Sequence, residues 1–153
     1  MREILFRGKR KDNGEWVEGD LFNNYNKRKF IGELVVDDYT GFACDQYEVG
    51  IGIVEVIPET ICQFIGLVDK NGKKIFEGDI IRIHNEYTGD MNPFNAVVGY
   101  IKGAFVSWGE CSYGYTPFYS WNVPLVWWEV VGNIYDNPEL IKLEETTIQR
   151  DME

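Results

Sequence analysis

Two stretches of this chain, "KDNGEWVEGDLF" at Lys11–Phe22 and "DKNGKKIFEGDII" at Asp69–Ile81, are close to one phrase written twice. Each has Asn-Gly, then bulky residues, then Glu-Gly-Asp followed by a hydrophobic pair. Asn and Gly both tolerate positive φ. Asn13-Gly14, between "REILFRG" and "EWVEGDLF", therefore reads as a type I′ hairpin turn, whose twist matches its flanking strands. Asn71-Gly72 reads the same way between "ICQFIGLV" and "KKIFEGDIIRI". In both copies a glycine then interrupts the strand pattern, the mark of a bulge or bend where one ribbon turns to join another sheet. The copies differ by one residue between Asn-Gly and Glu-Gly-Asp, so their pairing registers differ. Two bent hairpins, each starting a new strand, begin a small antiparallel barrel or a pair of packed sheets. On this reading the repeat is a folding device.

Outward from the repeat, period-2 alternation and β-branched or aromatic content mark further strands at Lys29–Val36, Ile51–Ile57, Ala96–Ile101, Ala104–Trp108 and Leu125–Ile134. "KGAF" around Gly103 marks another hairpin turn, and Pro58-Glu59-Thr60 a brief helical turn. Near the end, "DNPELIKLEE" offers an N-cap at Asn137, Pro138 at the first helical position and Glu139 in the first turn. A short C-terminal helix over Pro138–Glu145 is expected, with Leu140, Ile141 and Leu143 on the sheet. The fold class is mainly β. Residues 1–147 are expected to form one β-rich domain, with 148–153 a flexible tail.

With 44% hydrophobic and 26% charged residues, the composition is that of a globular protein able to bury a core. The N-terminal "MREILFRGKRKDNG" lacks the apolar run of a signal peptide, and no apolar stretch reaches bilayer-crossing length. Cys44, Cys62 and Cys111 are odd in number and widely spaced, which argues against a disulfide framework and a zinc site. A reducing cytoplasm is the expected compartment. The net charge of −10 is uneven: residues 1–29 carry eight Lys/Arg against five acids, and residues 30–66 carry seven acids and no base. The general field opposes a phosphate backbone. Nucleic-acid binding would have to use Arg7, Lys9, Arg10 and Lys11, with Lys27, Arg28 and Lys29.

No constellation for catalysis emerges, and no catalytic residue, metal ligand or cofactor is assigned. His84 is the only histidine, and its His-x-Glu with Glu86 lacks the Pro-Cys-x-x-Cys of a zinc deaminase. Asp37, Asp38, Asp45 and Glu48 are oxygen-rich but lack the spacing of a calcium loop. No nucleophile elbow, P-loop or dinucleotide fingerprint is present, and Cys62 sits in an apolar run that reads as core. The unusual feature is aromatic density: Tyr100–Trp128 holds ten of the 23 aromatic residues. Trp127 and Trp128 fall on opposite strand faces, so one enters the core. The turn-rich part offers Trp108, Tyr113, Tyr115, Tyr119 and Trp121 as rigid, amphipathic contact area for a protein partner or a second copy. No cation lies between Ala104 and Ile141, which disfavours base stacking against a phosphate backbone.

Along most of its length the chain resembles the YopX-like family of bacteriophage and prophage proteins. The resemblance rests on "MREILFRGKRKDNGEWVEGDL", "VIPETICQFIGLVDKNGKKIFEGDIIRI" and "WEVVGNIYDNPELIK", and is thin between about Gly89 and Leu125. It implies a small β-rich phage protein in a bacterial cytoplasm and brings no catalytic or binding residues with it. The leading expectation is a non-enzymatic protein-binding module, its partner a host or phage protein or another copy, with no membrane role. A nucleic-acid-associated factor using the basic hairpin is the first alternative. A metal-dependent enzyme using the acidic cluster and His84 is the second.

Overall fold

In the computed structural model the described residues are 2–37, 48–85, 93–109, 115–118 and 126–141, with the side chains of 34–37 and 48–51 outside the description. They form β1 (Phe6–Lys9), β2 (Trp16–Asn23), β3 (Lys29–Asp37), β4 (Glu48–Glu55), β5 (Cys62–Val68), β6 (Lys74–Phe76), β7 (Asp79–Asn85), β8 (Phe94–Ile101), β9 (Ala104–Gly109), β10 (Thr116–Pro117) and β11 (Val126–Asn133). Single 3-10 turns stand at Pro58–Thr60 and Pro138–Leu140. All pairings are antiparallel, in two sheets. The chain divides into two compact units, Met1–Gln63 and Phe64–Glu153, with the boundary inside β5.

In the first unit the strand order is β4-β3-β2-β1-β5. Gly19 is the corner that the Glu-Gly-Asp motif foretold. β2 pairs with β1 from Lys9↔Trp16 to Phe6↔Gly19, then with β3 from Asp20↔Gly32 to Asn23↔Lys29. A barrel would need the far edge to zip back onto β1, and here that contact is one bridge, Arg10↔Val56, flanked by Lys11 N–H to Glu55 O and Ile57 N–H to Lys9 O. Among the described residues the sheet stays open, so the barrel alternative is corrected to open sheets. Ile31, Val56 and Cys62, each at most 2% exposed, form the apolar centre of this unit. Burying such side chains contributes about 1.5–3 kcal/mol each. Thr60, whose hydroxyl accepts from Lys9 N–H at 2.9 Å and donates to Ile57 O at 2.7 Å, ties the Pro58–Thr60 turn to β1.

In the second unit β5 and β6 make a hairpin, and β10-β9-β8-β7-β11 a five-stranded sheet. Here Glu-Gly-Asp is again a corner, but between strands. Gly78, at φ 76°, ends β6 and admits β7, while the buried Asp79 carboxylate accepts from Phe76 N–H at 2.8 Å. The core comprises Ile65, Ile75, Ile81, Ile83, Ala96, Val98 and Phe118, with Trp128 and Val130 of β11 packed on it. Trp128 is thus the inward member of the tryptophan pair.

The hairpin turns differ from the type I′ expectation. Outside glycine, the described residues with positive φ are Lys27 and Lys102, so Asn13 and Asn71 do not adopt it. Asn13 Oδ1 instead accepts from Glu15 N–H at 2.9 Å, an Asx turn inside a four-residue loop closed by Gly14 at φ 75°. Lys70-Asn71-Gly72 is a three-residue loop ending on Gly72 at φ 81°. The type I′ geometry occurs at Lys102-Gly103, φ 51° and 84°, in the β8–β9 hairpin.

The C-terminal helix is also corrected. Among the described residues only the 3-10 turn Pro138–Leu140 forms, and Ile141 is extended at φ −133°, ψ 125°. Two competitors take the groups a helix would need. The Asn137 side chain turns back to accept from Asn133 N–H at 3.3 Å instead of capping, and the Leu140 carbonyl accepts from Asn95 Nδ2 at 2.8 Å. Leu143, Glu145 and the expected tail 148–153 lie outside the described residues.

Candidate binding surfaces

The aromatic segment enters the second unit as an edge. Thr116 and Pro117 pair with Ser107 and Val106 of β9, and Phe118, 6% exposed, plugs the core edge-on to Trp128 at 5.8 Å and 87°. This anchorage fixes Tyr115, which stands edge-on to Trp108 with centroids 5.5 Å apart and planes at 77°. Both are half-buried. Trp108 also lies flat over Gly99, where an added Cβ would come within 2.5 Å of its ring. Its indole covers backbone that has no side chain of its own, so Trp108 is part of the sheet as well as its rim. Its Nε1–H is buried and meets no acceptor. Tyr113, Tyr119 and Trp121 lie outside the described residues.

Three basic residues of the first unit, Arg10, Lys11 and Arg28, face carboxylates of the same unit. Arg10 makes a bidentate pair with Asp12, 2.9 and 2.6 Å, and holds that carboxyl below its ordinary range. Glu55 accepts from Arg28 Nε at 3.0 Å and Nη2 at 2.6 Å, and from Lys11 Nζ at 3.2 Å. The Arg28 fork, with Lys11 assisting, outweighs partial desolvation and pulls the Glu55 carboxyl from 4.5 down to about 2. A group so depressed contributes stability that is present above pH 4.5 and lost as pH falls toward 2. Glu55→Gln is therefore expected to remove the part of the acid-induced fall in melting temperature lying between those values. An unchanged acid profile would show that the pair is energetically silent. Arg7 and Lys9 lie over the Trp16 ring, at 4.8 and 5.5 Å. Sequence reading missed that stack, although Lys9 opposite Trp16 is a direct consequence of the hairpin register.

His84 is cross-strand to Trp127 and stacks on its indole, centroids 3.5 Å apart and planes 12° from parallel. Lys70 Nζ lies 3.9 Å from the same indole and 3.3 Å from Glu129. The only histidine is thus engaged in a stack, and among the described residues no three His, Cys, Asp or Glu side chains gather as for a metal. The side chains of Asp37, Asp38, Asp45 and Glu48, like Glu86, Cys44 and Cys111, lie outside the description. No helix among the described residues is long and apolar enough to cross a membrane.

Comparison with known proteins supplies a family and a fold. The YopX protein family profile matches residues 5–142. Among solved structures, the crystal structure of protein EF1440 from Enterococcus faecalis is similar, with a TM-score of 0.63 and 22% identity, over 93% of this chain and 100% of that one. At that identity the likeness shows the fold alone. No curated protein matches the chain.

Proposed function

This chain belongs to the YopX protein family, and from that premise we propose that it is a non-enzymatic phage or prophage accessory protein that binds another protein in the bacterial cytoplasm. The partner is a host or phage protein, and a second copy of the chain is one form it can take. The observation that carries this reading is the anchored aromatic pair. Phe118 in the core and the β9–β10 ladder hold Trp108 and Tyr115 half-exposed on a rigid edge, with no cation between Ala104 and Ile141. Rigid aromatics give contact area at little entropic cost, the composition of a binding hot spot. The pairing of Arg10 with Asp12 and of Lys11 and Arg28 with Glu55 works against a nucleic-acid role, since a phosphate would have to displace those carboxylates.

The test is affinity capture from host-cell lysate, with and without nuclease and at two salt concentrations, comparing the parent with Tyr115→Ala combined with Tyr119→Ala and Trp121→Ala. A nuclease-resistant partner that the variant loses, at nearly unchanged melting temperature, is the expected result. A large drop in melting temperature would make these residues core. Partners removed by nuclease or salt would transfer the function to the basic hairpin.

A further inference from the structure

A groove of about 300 Å³ crosses β2, β3 and β4 of the first unit, and its floor carries a glycine that the backbone does not require. Gly32 and Gly52 both line it. Gly32 is obligatory: an added Cβ would sit 2.2 Å from the Gly52 carbonyl oxygen. Gly52 is not. Its Cβ would meet only the Glu33 carbonyl oxygen, at an ordinary 3.9 Å, and its φ lies outside the left-handed region. A glycine inside a strand weakens it, so the space above Gly52 is kept open at some cost to the sheet.

The walls show what fits that space. Val17 and Val54, both half-buried, supply apolar surface over the fully buried Ile31, and Glu18 and Glu33 stand exposed at the rim. Among the described residues neither carboxylate makes an ion pair. Arg7, opposite Glu18 in the register, has its guanidinium over Trp16, and Lys11 and Arg28 are held by Glu55. The surrounding stretch 30–66 has seven acids and no base, so its field draws cations in. An apolar slot rimmed by two carboxylates matches an aliphatic stem ending in an ammonium group. We propose that this groove receives a lysine side chain from a basic segment of a protein partner. It is formed by residues separate from the aromatic pair, so either surface can fail without the other.

The test is an NMR titration of the full chain with the peptide acetyl-Ala-Ser-Lys-Ser-Ala-amide and its norleucine counterpart. Saturable shifts at the Gly32, Glu33 and Gly52 amides are expected for the lysine peptide, with binding of the norleucine peptide weaker by about tenfold or more. Gly52→Val, filling the slot, is expected to abolish the shifts, and Tyr115→Ala to leave them unchanged. The double variant Glu18→Gln, Glu33→Gln provides a second check by removing only the rim charge, and should weaken binding as the norleucine exchange does. No saturable shift up to about 20 mM peptide overturns the proposal. So does equal binding of norleucine, or of the double variant. A concentration-dependent dimer that Gly52→Val abolishes would overturn it in favour of a second copy as the occupant.

Discussion

Replacing Asp69 by alanine is expected to cost about 3 kcal/mol, roughly 1 kcal/mol for each of three backbone donors deserted at once. Asp69 is 6% exposed, and its Oδ1 accepts from Asn71 N–H at 2.8 Å and Lys73 N–H at 2.9 Å. Oδ2 accepts from Val130 N–H at 3.0 Å. One side chain therefore closes the β5–β6 loop and also ties it to β11, where Lys70 N–H donates to Trp128 O at 3.1 Å. Asparagine restores the two loop bonds but turns an NH2 toward the Val130 N–H, donor against donor, so Asp69→Asn should lose about 1–2 kcal/mol. For a chain of this size the alanine change corresponds to a melting temperature lower by about 6–12 °C. Burial alone would push the Asp69 carboxyl up, but the N–H groups of Val130, Lys73 and Asn71, with the Lys73 charge, outweigh it and hold it below its ordinary 3.8. The sign follows. The contribution is complete above about pH 4 and disappears as pH falls through the lower folded-state value. Thermal melts from pH 7 to pH 2 should show the parent losing stability in acid and Asp69→Ala losing less of it. A loss under about 1 kcal/mol at pH 7 would mean that water replaces the carboxylate without penalty.

Asp69 also shows what the sequence made legible. Its motif marked a turn, and a turn is there. That the aspartate would reach a strand 61 residues away was invisible, because nothing in the spacing says which edge lies beside the loop. The Glu-Gly-Asp corners were readable because a glycine in a strand pattern is a local fact about backbone. The turn types were not, because side-chain competition decides them: Asn13 spends its carboxamide on Glu15 N–H. The C-terminal helix failed for a similar reason. Asn137 and Pro138 form a valid start signal, but Asn95, distant in sequence, takes the Leu140 carbonyl. At the candidate surfaces, the aromatic density was plain, and the division of labour within it was not. Phe118 is core, Trp108 shields Gly99, and Tyr115 leans on Trp108. The groove over Gly52 left no sequence signal, since nothing in "GIGI" tells what a side chain at Gly52 would face until the strand pairing is known.

The same pairing sets apart Gly32, opposite Ile53 across the β3–β4 ladder, and Gly52, opposite Glu33, and the difference can be measured. Gly32→Ala is expected to destabilise the chain by about 3 kcal/mol or more, the upper end of overpacking costs. Its Cβ would lie 2.2 Å from the Gly52 carbonyl oxygen and 2.7 Å from the Ile53 Cα. Both obstacles are backbone, so no rotamer change relieves them. The strands must separate, at the cost of the ladder around Gly32↔Ile53. Gly19 presses from the other side, where its own Cβ would come within 2.5 Å of the Gly32 carbonyl oxygen, so β3 cannot retreat toward β2. Gly52→Ala meets no such obstacle and should gain about 0.5–1 kcal/mol, because alanine loses less backbone entropy on folding. Parallel urea unfolding of the two variants reads both signs from one experiment. Equal effects at the two positions would mean that the three strands do not approach this closely in solution, and with that the open slot above Gly52 would lose its physical basis.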